Sequence, residues 1–301
     1  MNPSGNLSRT GAGAAMPPAP TPALAIAPRR SPQMLLLLAP VLLLIVVIFD
    51  YPLLKTAYWS ILDEDTGRLT TAHFAEFWQS QAYLRVIWRT LRVALTVTVV
   101  TVLMGYPLAY RATRLGPGWR MVVLGLVVMT FWVSILVRTY AWIVVLGSSG
   151  LVNRSLIGLG LTDKPVQFLY NEFGVIVGMV NVLLPFLVLP LYAAMMRIDP
   201  RLSQVAQTMG AKPLRIFWQV FFPLSVSALV TSAILVFILA LGFYITPAIL
   251  GGGKVPLVAN MMDLLINRVA NWNMAAVVSV VLLAMTLSLY ALYQRLRDGP
   301  R

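Results

Sequence analysis

The sequence predicts an all-α integral membrane protein with six transmembrane helices and both termini on the cytoplasmic side. Three observations predict it. Of 301 residues, 59% are hydrophobic and 11% charged, whereas soluble domains carry about a quarter charged residues. The apolar residues come in blocks: 93–110, 121–137, 173–196, 216–253 and 269–294 contain no charge, and 34–49 is apolar throughout. A helix needs roughly 20 mostly apolar residues to cross the hydrocarbon core. Finally, the basic residues gather in alternate connecting segments.

Residues 1–32 are rich in Pro, Ala, Gly and Ser. Such a stretch cannot bury enough apolar surface to fold and is expected to be a disordered cytoplasmic tail. The transmembrane domain follows at 33–296, with a core at 88–296, and 297–301 forms a short cytoplasmic tail. The spans are placed at 33–55, 90–111, 120–147, 173–196, 223–247 and 272–294. The first run leads into Asp50-Tyr51-Pro52 with no small-residue cleavage site behind it, so it reads as an uncleaved span. Arg138 interrupts the third run, but halving that run would leave two pieces too short to cross. The stretch 216–253 is too long for one span and too short for two. Pro223 is placed at its opening and the glycines at 251–253 after its end.

With the N-terminus inside, the inner segments carry Arg9, Arg29 and Arg30, then Arg111, Arg114 and Arg120. They continue with Arg197, Arg201, Lys212 and Arg215, then Arg295, Arg297 and Arg301. Asp199 and Asp298 are their acidic residues. The outer segments mix both signs. The formal charge of +13 is thus explained by the positive-inside rule, without invoking nucleic acid.

The segment 197–222 between spans four and five is patterned. Asp199 before Pro200 reads as an N-cap with proline in the first turn. Ile198, Leu202, Val205 and Met209 recur at helical spacing. Gly210 suits the left-handed residue that ends such a helix. Pro213 can open a second helix with Leu214, Phe217, Trp218 and Phe221 on one face. Two readings stay open on these grounds: interfacial helices lying on the bilayer, or a coupling element that docks into another protein.

Gln204-Val-Ala-Gln-Thr-Met-Gly210, with Pro223 further on, resembles the EAA loop of ABC importer permeases. Ala206, Gly210 and Pro223 match that pattern, while Gln204 replaces its Glu and Val205 its first Ala. Phe131-Trp-Val-Ser-Ile-Leu-Val-Arg-Thr-Tyr140, Leu184-Pro-Phe-Leu-Val-Leu-Pro-Leu-Tyr192 and Gly242-Phe-Tyr-Ile-Thr-Pro-Ala-Ile-Leu-Gly-Gly252 are similar to stretches of the spermidine/putrescine permease subfamily. The resemblance covers roughly residues 35–296. It implies the type I ABC importer permease fold in a bacterial inner membrane. It also implies a second permease subunit in a heterodimer, two cytoplasmic ATPase subunits that use ATP and Mg, and a periplasmic solute-binding protein. This chain would bind no cofactor itself. The loop residues expected to meet the ATPase are Gln204, Val205, Ala206, Met209, Gly210, Ala211, Lys212 and Leu214. The implied solute is a polyamine. The subfamily often has an acid where Ala248 stands, which leaves an amino-acid- or opine-like solute open.

Along the pathway the candidates are Arg138, Tyr140, Asn181 and Tyr244. A charge inside a span is costly and therefore a functional candidate. Arg138 lies roughly 27 Å along a helix started at residue 120, at about 1.5 Å per residue. There it could snorkel to the outer interface or pair with Asp50 or Glu172. Tyr140 and Tyr244 suit either an aromatic belt or contacts with a cationic solute. Asn181, Pro185 and Pro190 suit either a kinked pathway or ordinary packing.

Other classes fit less well. A membrane-embedded enzyme needs acid, base or metal ligands inside the spans, which hold no His or Cys. A secondary transporter usually shows inverted repeats or intramembrane acids. Gly253-Lys254 is followed by Val255 and lacks the earlier glycine of a P-loop, so it reads as a turn.

Overall fold

The computed structural model describes residues 32–63 and 67–297. Among them, six helical stretches are long and apolar enough to cross a membrane: Leu38–Trp59, Gln81–Arg114, Ile135–Gly158, Glu172–Met195, Pro213–Leu241 and Trp272–Arg295. The tails expected at 1–32 and 297–301 lie outside the described residues apart from Pro32 and Arg297.

The chain forms two compact units, one ending at Pro52 and the other beginning at Leu53. The first contains α1 (Pro32–Ile45), which runs into a π-helical turn at Val46–Asp50. Helix α2 (Tyr51–Trp59) follows.

The second unit is organised around α4 (Gln81–Arg114), α8 (Glu172–Met195) and α11 (Phe222–Leu241), which pack on one another. Helix α8 lies at the centre. Val175, Met179, Leu183, Leu187 and Leu191 recur every four residues and are fully or almost fully buried. Opposite them, α4 presents small residues, among them Ala94, Gly105, Ala109 and Ala112. Lipid is as apolar as leucine, so helices in a bilayer associate through close van der Waals packing, and small residues permit the approach. The buried threonines of α4 cost little because each donates to the carbonyl four residues back: Thr90 to Val86, Thr98 to Ala94 and Thr101 to Val97, at 2.7–2.8 Å. Helix α8 begins with Asn171, whose Oδ1 accepts from Gly174 N at 3.0 Å, and continues as one helix through Pro185 and Pro190.

Shorter helices surround this trio. Helix α3 (Ala72–Gln79) packs on α14 (Trp272–Arg297) and on α4. Helix α5 (Pro117–Trp132) packs on α8, and α6 (Ile135–Leu146) on α7 (Leu151–Gly158) and on α12 (Ile245–Leu250). Helix α13 (Val258–Leu264) precedes α14 and packs on it. Helix α12 lies very close to α8. A Cβ on Gly178 would fall 2.5 Å from both Leu250 Cδ1 and Thr246 Cγ2, and those two side chains are completely buried. Overpacking of this kind typically costs about 1–3 kcal/mol. Gly178→Ala is therefore expected to lower the melting temperature of the detergent-purified protein by several degrees. An unchanged melting curve would mean that α12 is free to move away.

Three expected spans need correction. The third, expected as one helix over 120–147, is broken at Val133–Ser134 into α5 and α6, and the crossing stretch starts at Ile135. The fifth, expected at 223–247, starts at Pro213 and ends at Leu241. Its end at Gly242 is followed by the separate α12, so the glycines at 251–253 close α12 instead. The second span also begins nine residues earlier than expected, at Gln81.

Candidate functional site

The 197–222 segment forms a helix–turn–helix. Helix α9 (Pro200–Thr208) is capped by Asp199, whose Oδ1 accepts from Arg201 N at 2.8 Å. It ends in a Schellman arrangement: Gly210 N donates to Gln207 O at 2.9 Å and Ala211 N to Ala206 O at 3.0 Å. Gly210 has φ +81°, the conformation such an ending demands. Ala206 and Gly210, two positions that match the EAA pattern, are thus joined by one turn. Beyond it α10 (Pro213–Ile216) passes through a π-helical turn at Phe217–Phe221 straight into α11. The second loop helix is therefore the first part of span five.

The apolar stripe of this loop has few partners. Met209 is 82% exposed and Leu214 71%, and Leu202, Val205 and Trp218 are exposed as well. Gln204 and Lys212 are exposed beside them, while Ala206 and Ala211 are half-buried under the turn. Gly210, Lys212, Leu214, Arg215 and Trp218 line a cavity of about 510 Å³.

An aromatic cluster ties this loop to span two. The Tyr110 ring lies 4.9 Å from Phe217 and 5.0 Å from Phe221, with the Arg114 guanidinium 5.0 Å above Tyr110. One turn back, the Tyr106 hydroxyl is 2.9 Å from Ser225 Oγ. Tilting α10 would therefore push directly on α4.

The opposite end of α11 lies about 30 Å from its start, as a 20-residue helix requires. Here Tyr244, Pro247, Ala248, Asn260, Asp263 and Arg268 line a cavity of about 300 Å³. Asn267 Nδ2 donates to Asp263 Oδ1 at 2.7 Å, and Tyr244 lies close enough for the carboxylate's charge to act on its hydroxyl. Nearby, Glu172 forms ion pairs with Arg92 and, at 3.8 Å, with Arg89, whose Nη1 also donates to Lys254 O at 3.4 Å. Lys254 sits in a turn in which Gly252 and Gly253 both have positive φ. The groups of the Arg92–Glu172 pair are well exposed, so it contributes under about 1 kcal/mol.

The Arg138 guanidinium turns to the backbone. Its Nη2 donates to Thr130 O, and to Val133 O at 3.0 Å. These carbonyls end α5, where no further helical N–H is available. Arg138 thus closes the break between α5 and α6, and the Glu172 carboxylate proposed as its partner is held by Arg92 and Arg89. Tyr140 is exposed on α6. Asn181 lies in α8 with a buried Oδ1 that finds no partner among the described residues, as does Thr246 Oγ1. The structure does not bring the four pathway candidates into one cavity: Tyr244 alone lines the Asp263 cavity. Asp263 itself was overlooked, because by sequence it is one more acid in an outer segment; its separation from Ala248 by α12 and α13 gives no local signal.

The chain is thus a set of apolar helices with an exposed amphipathic loop at one end of α11 and a polar cavity at the other. The sequence profile of the family described as "Binding-protein-dependent transport system inner membrane component" matches residues 101–299. The chain belongs to this family: it is an inner-membrane permease subunit of an ABC importer, a transport subunit and not itself an enzyme. It is 36% identical over 215 residues to the spermidine/putrescine transport system permease protein PotB of Haemophilus influenzae, covering 71% of this chain and 74% of that one. A Salmonella typhi permease named for 2-aminoethylphosphonate transport is 28% identical, covering 92% of this chain and 94% of that one. Among solved structures, a bacterial ABC transporter involved in the import of the acidic polysaccharide alginate superposes with a TM-score of 0.67 at 19% identity. The match covers 90% of this chain and 97% of the other; it shows the fold.

Proposed function

We propose that this chain forms half of the translocation pathway for a polyamine such as putrescine or spermidine, delivered by a periplasmic binding protein. The observation that carries the solute class is the 36% identity with the Haemophilus influenzae spermidine/putrescine permease over most of both chains. A second, different permease completes the pathway. Both termini face the cytoplasm, where two ATPase subunits bind and hydrolyse ATP with Mg. Neither ATP nor Mg is held by this chain.

The 197–222 loop is the contact through which the ATPases act, with Gln204, Val205, Ala206, Met209, Gly210, Ala211, Lys212 and Leu214 at that contact. Its exposed Met209 and Leu214 supply the apolar anchors that a docked partner would cover. The Tyr110 cluster would pass its tilt to span two.

The zwitterionic reading, an amino-acid-, opine- or aminophosphonate-like solute, draws on Ala248, on Arg268 beside Asp263, and on the Salmonella typhi relative. Uptake of labelled putrescine and spermidine by cells carrying the complete system separates the two. The polyamine reading expects saturable, ATP-dependent uptake of at least one. Uptake of zwitterionic or anionic solutes alone would sink it.

A further inference from the structure

We propose that Asp263 is the position at which the solute's ammonium group is held on this chain. The proposal rests on the transport reading above and adds a specificity-determining residue to it.

Asp263 and Ala248 are far apart in sequence, on α13 and α12, yet they line the same cavity. Ala248 is exposed there and contributes only a methyl group, while Asp263 is half-buried. A carboxylate has four lone-pair sites across its two oxygens. The Asn267 amide occupies part of that capacity. Among the described residues no basic side chain forms an ion pair with Asp263. The charge therefore keeps acceptor capacity that an alkylammonium group can fill with short, charge-assisted hydrogen bonds. The Tyr244 ring on the same wall offers the face on which a cation rests favourably.

The surroundings hold this carboxylate in place. Asn260 donates to Tyr244 O at 3.1 Å and accepts from Leu257 N at 3.2 Å, which ties the start of α13 to the residue before α12. The buried Thr90 hydroxyl accepts from Val258 N at 3.0 Å and anchors α13 to α4. The cavity lies at the end of α11 remote from the 197–222 loop, where a delivered solute would enter.

Arg268 lines the same cavity. Its charge opposes a second ammonium and favours an acid group on the solute, so it distinguishes a polyamine from a zwitterion while Asp263 serves both.

The test uses the complete importer, with binding protein, both permeases and both ATPases, in proteoliposomes. The probes are labelled putrescine, spermidine and 2-aminoethylphosphonate. Asp263→Asn keeps an amide oxygen that can accept from Asn267 but removes the charge. It is expected to lower the maximal uptake of whichever probe the native complex carries by at least tenfold. Ala248→Asp in the Asp263→Asn background, which restores a carboxylate to the same cavity, is expected to recover at least a third of native uptake. Arg268→Gln is expected to leave putrescine or spermidine uptake equal or higher, and to reduce 2-aminoethylphosphonate uptake severalfold if that is the solute. Native uptake by Asp263→Asn would overturn the proposal. So would a loss that Ala248→Asp does not repair, since Asp263 would then act only as a structural partner of Asn267. A native complex that carries 2-aminoethylphosphonate but neither amine would refute the polyamine reading while leaving Asp263 testable with that probe. One that carries only solutes without an amino group would end both.

Discussion

Gly210→Val is expected to cut uptake by the complete importer at least tenfold while the chain still reaches the membrane at near-native levels. Gly210 has φ +81°, and a residue with a Cβ pays about 1–2 kcal/mol to enter the left-handed region. A β-branched residue is among the worst placed there. There is open space around the site: no heavy atom lies within 4 Å of a Cβ built on Gly210. The effect therefore comes from backbone strain and not from collision. Relieving that strain would unmake the two hydrogen bonds from Gly210 to Gln207 and from Ala211 to Ala206, and would re-aim α9 against α10. The spans do not depend on this turn, so insertion should survive. The readouts are uptake, membrane abundance and the amount of ATPase that co-purifies. Gly210→Asn, which tolerates positive φ, should retain most transport. Native uptake by the valine variant with ATPase bound would mean that the loop merely lies on the membrane.

Arg138→Met is expected to destabilise the protein itself. Arg138 donates to the carbonyls of Thr130 and Val133 at the break between α5 and α6, where these helix-ending carbonyls have no helical N–H to accept from. Each carbonyl left without a donor costs about 1–3 kcal/mol. The detergent-purified variant should melt at a markedly lower temperature, and its uptake should fall with the amount of folded protein. Arg138→Lys should recover part of the loss, because an ammonium donates but cannot reproduce the planar fork of a guanidinium. If Arg138→Met melts like the native protein and still fails to transport, the guanidinium acts on the solute or the gate and not on the helix break.

Both predictions turn on residues that were visible in the sequence, but for different reasons. The turn at Gly210 was legible because every group that makes it lies within a few residues. Asp199, Pro200, the stripe through Leu202 and Val205, and Pro213 each occupy the place their chemistry suggests. Arg138 was legible as an anomaly, but its backbone partners were not. Its acceptors are only five and eight residues away, yet they become available only because the helix stops at Trp132, and no proline or glycine marks that stop.

The number of spans follows from the sequence because transfer of a helix into a bilayer depends on the composition of one contiguous stretch. The membership of the 197–222 loop follows for the same reason: caps and turns are local. The pairing of Glu172 with Arg92, the approach of α12 to α8 at Gly178, and the meeting of Asp263 with Ala248 in one cavity were decided by the tertiary structure. Lipid rewards every apolar helix face almost equally, so choosing neighbours falls to small differences in close packing. Those differences depend on two surfaces at once, and neither surface carries them alone.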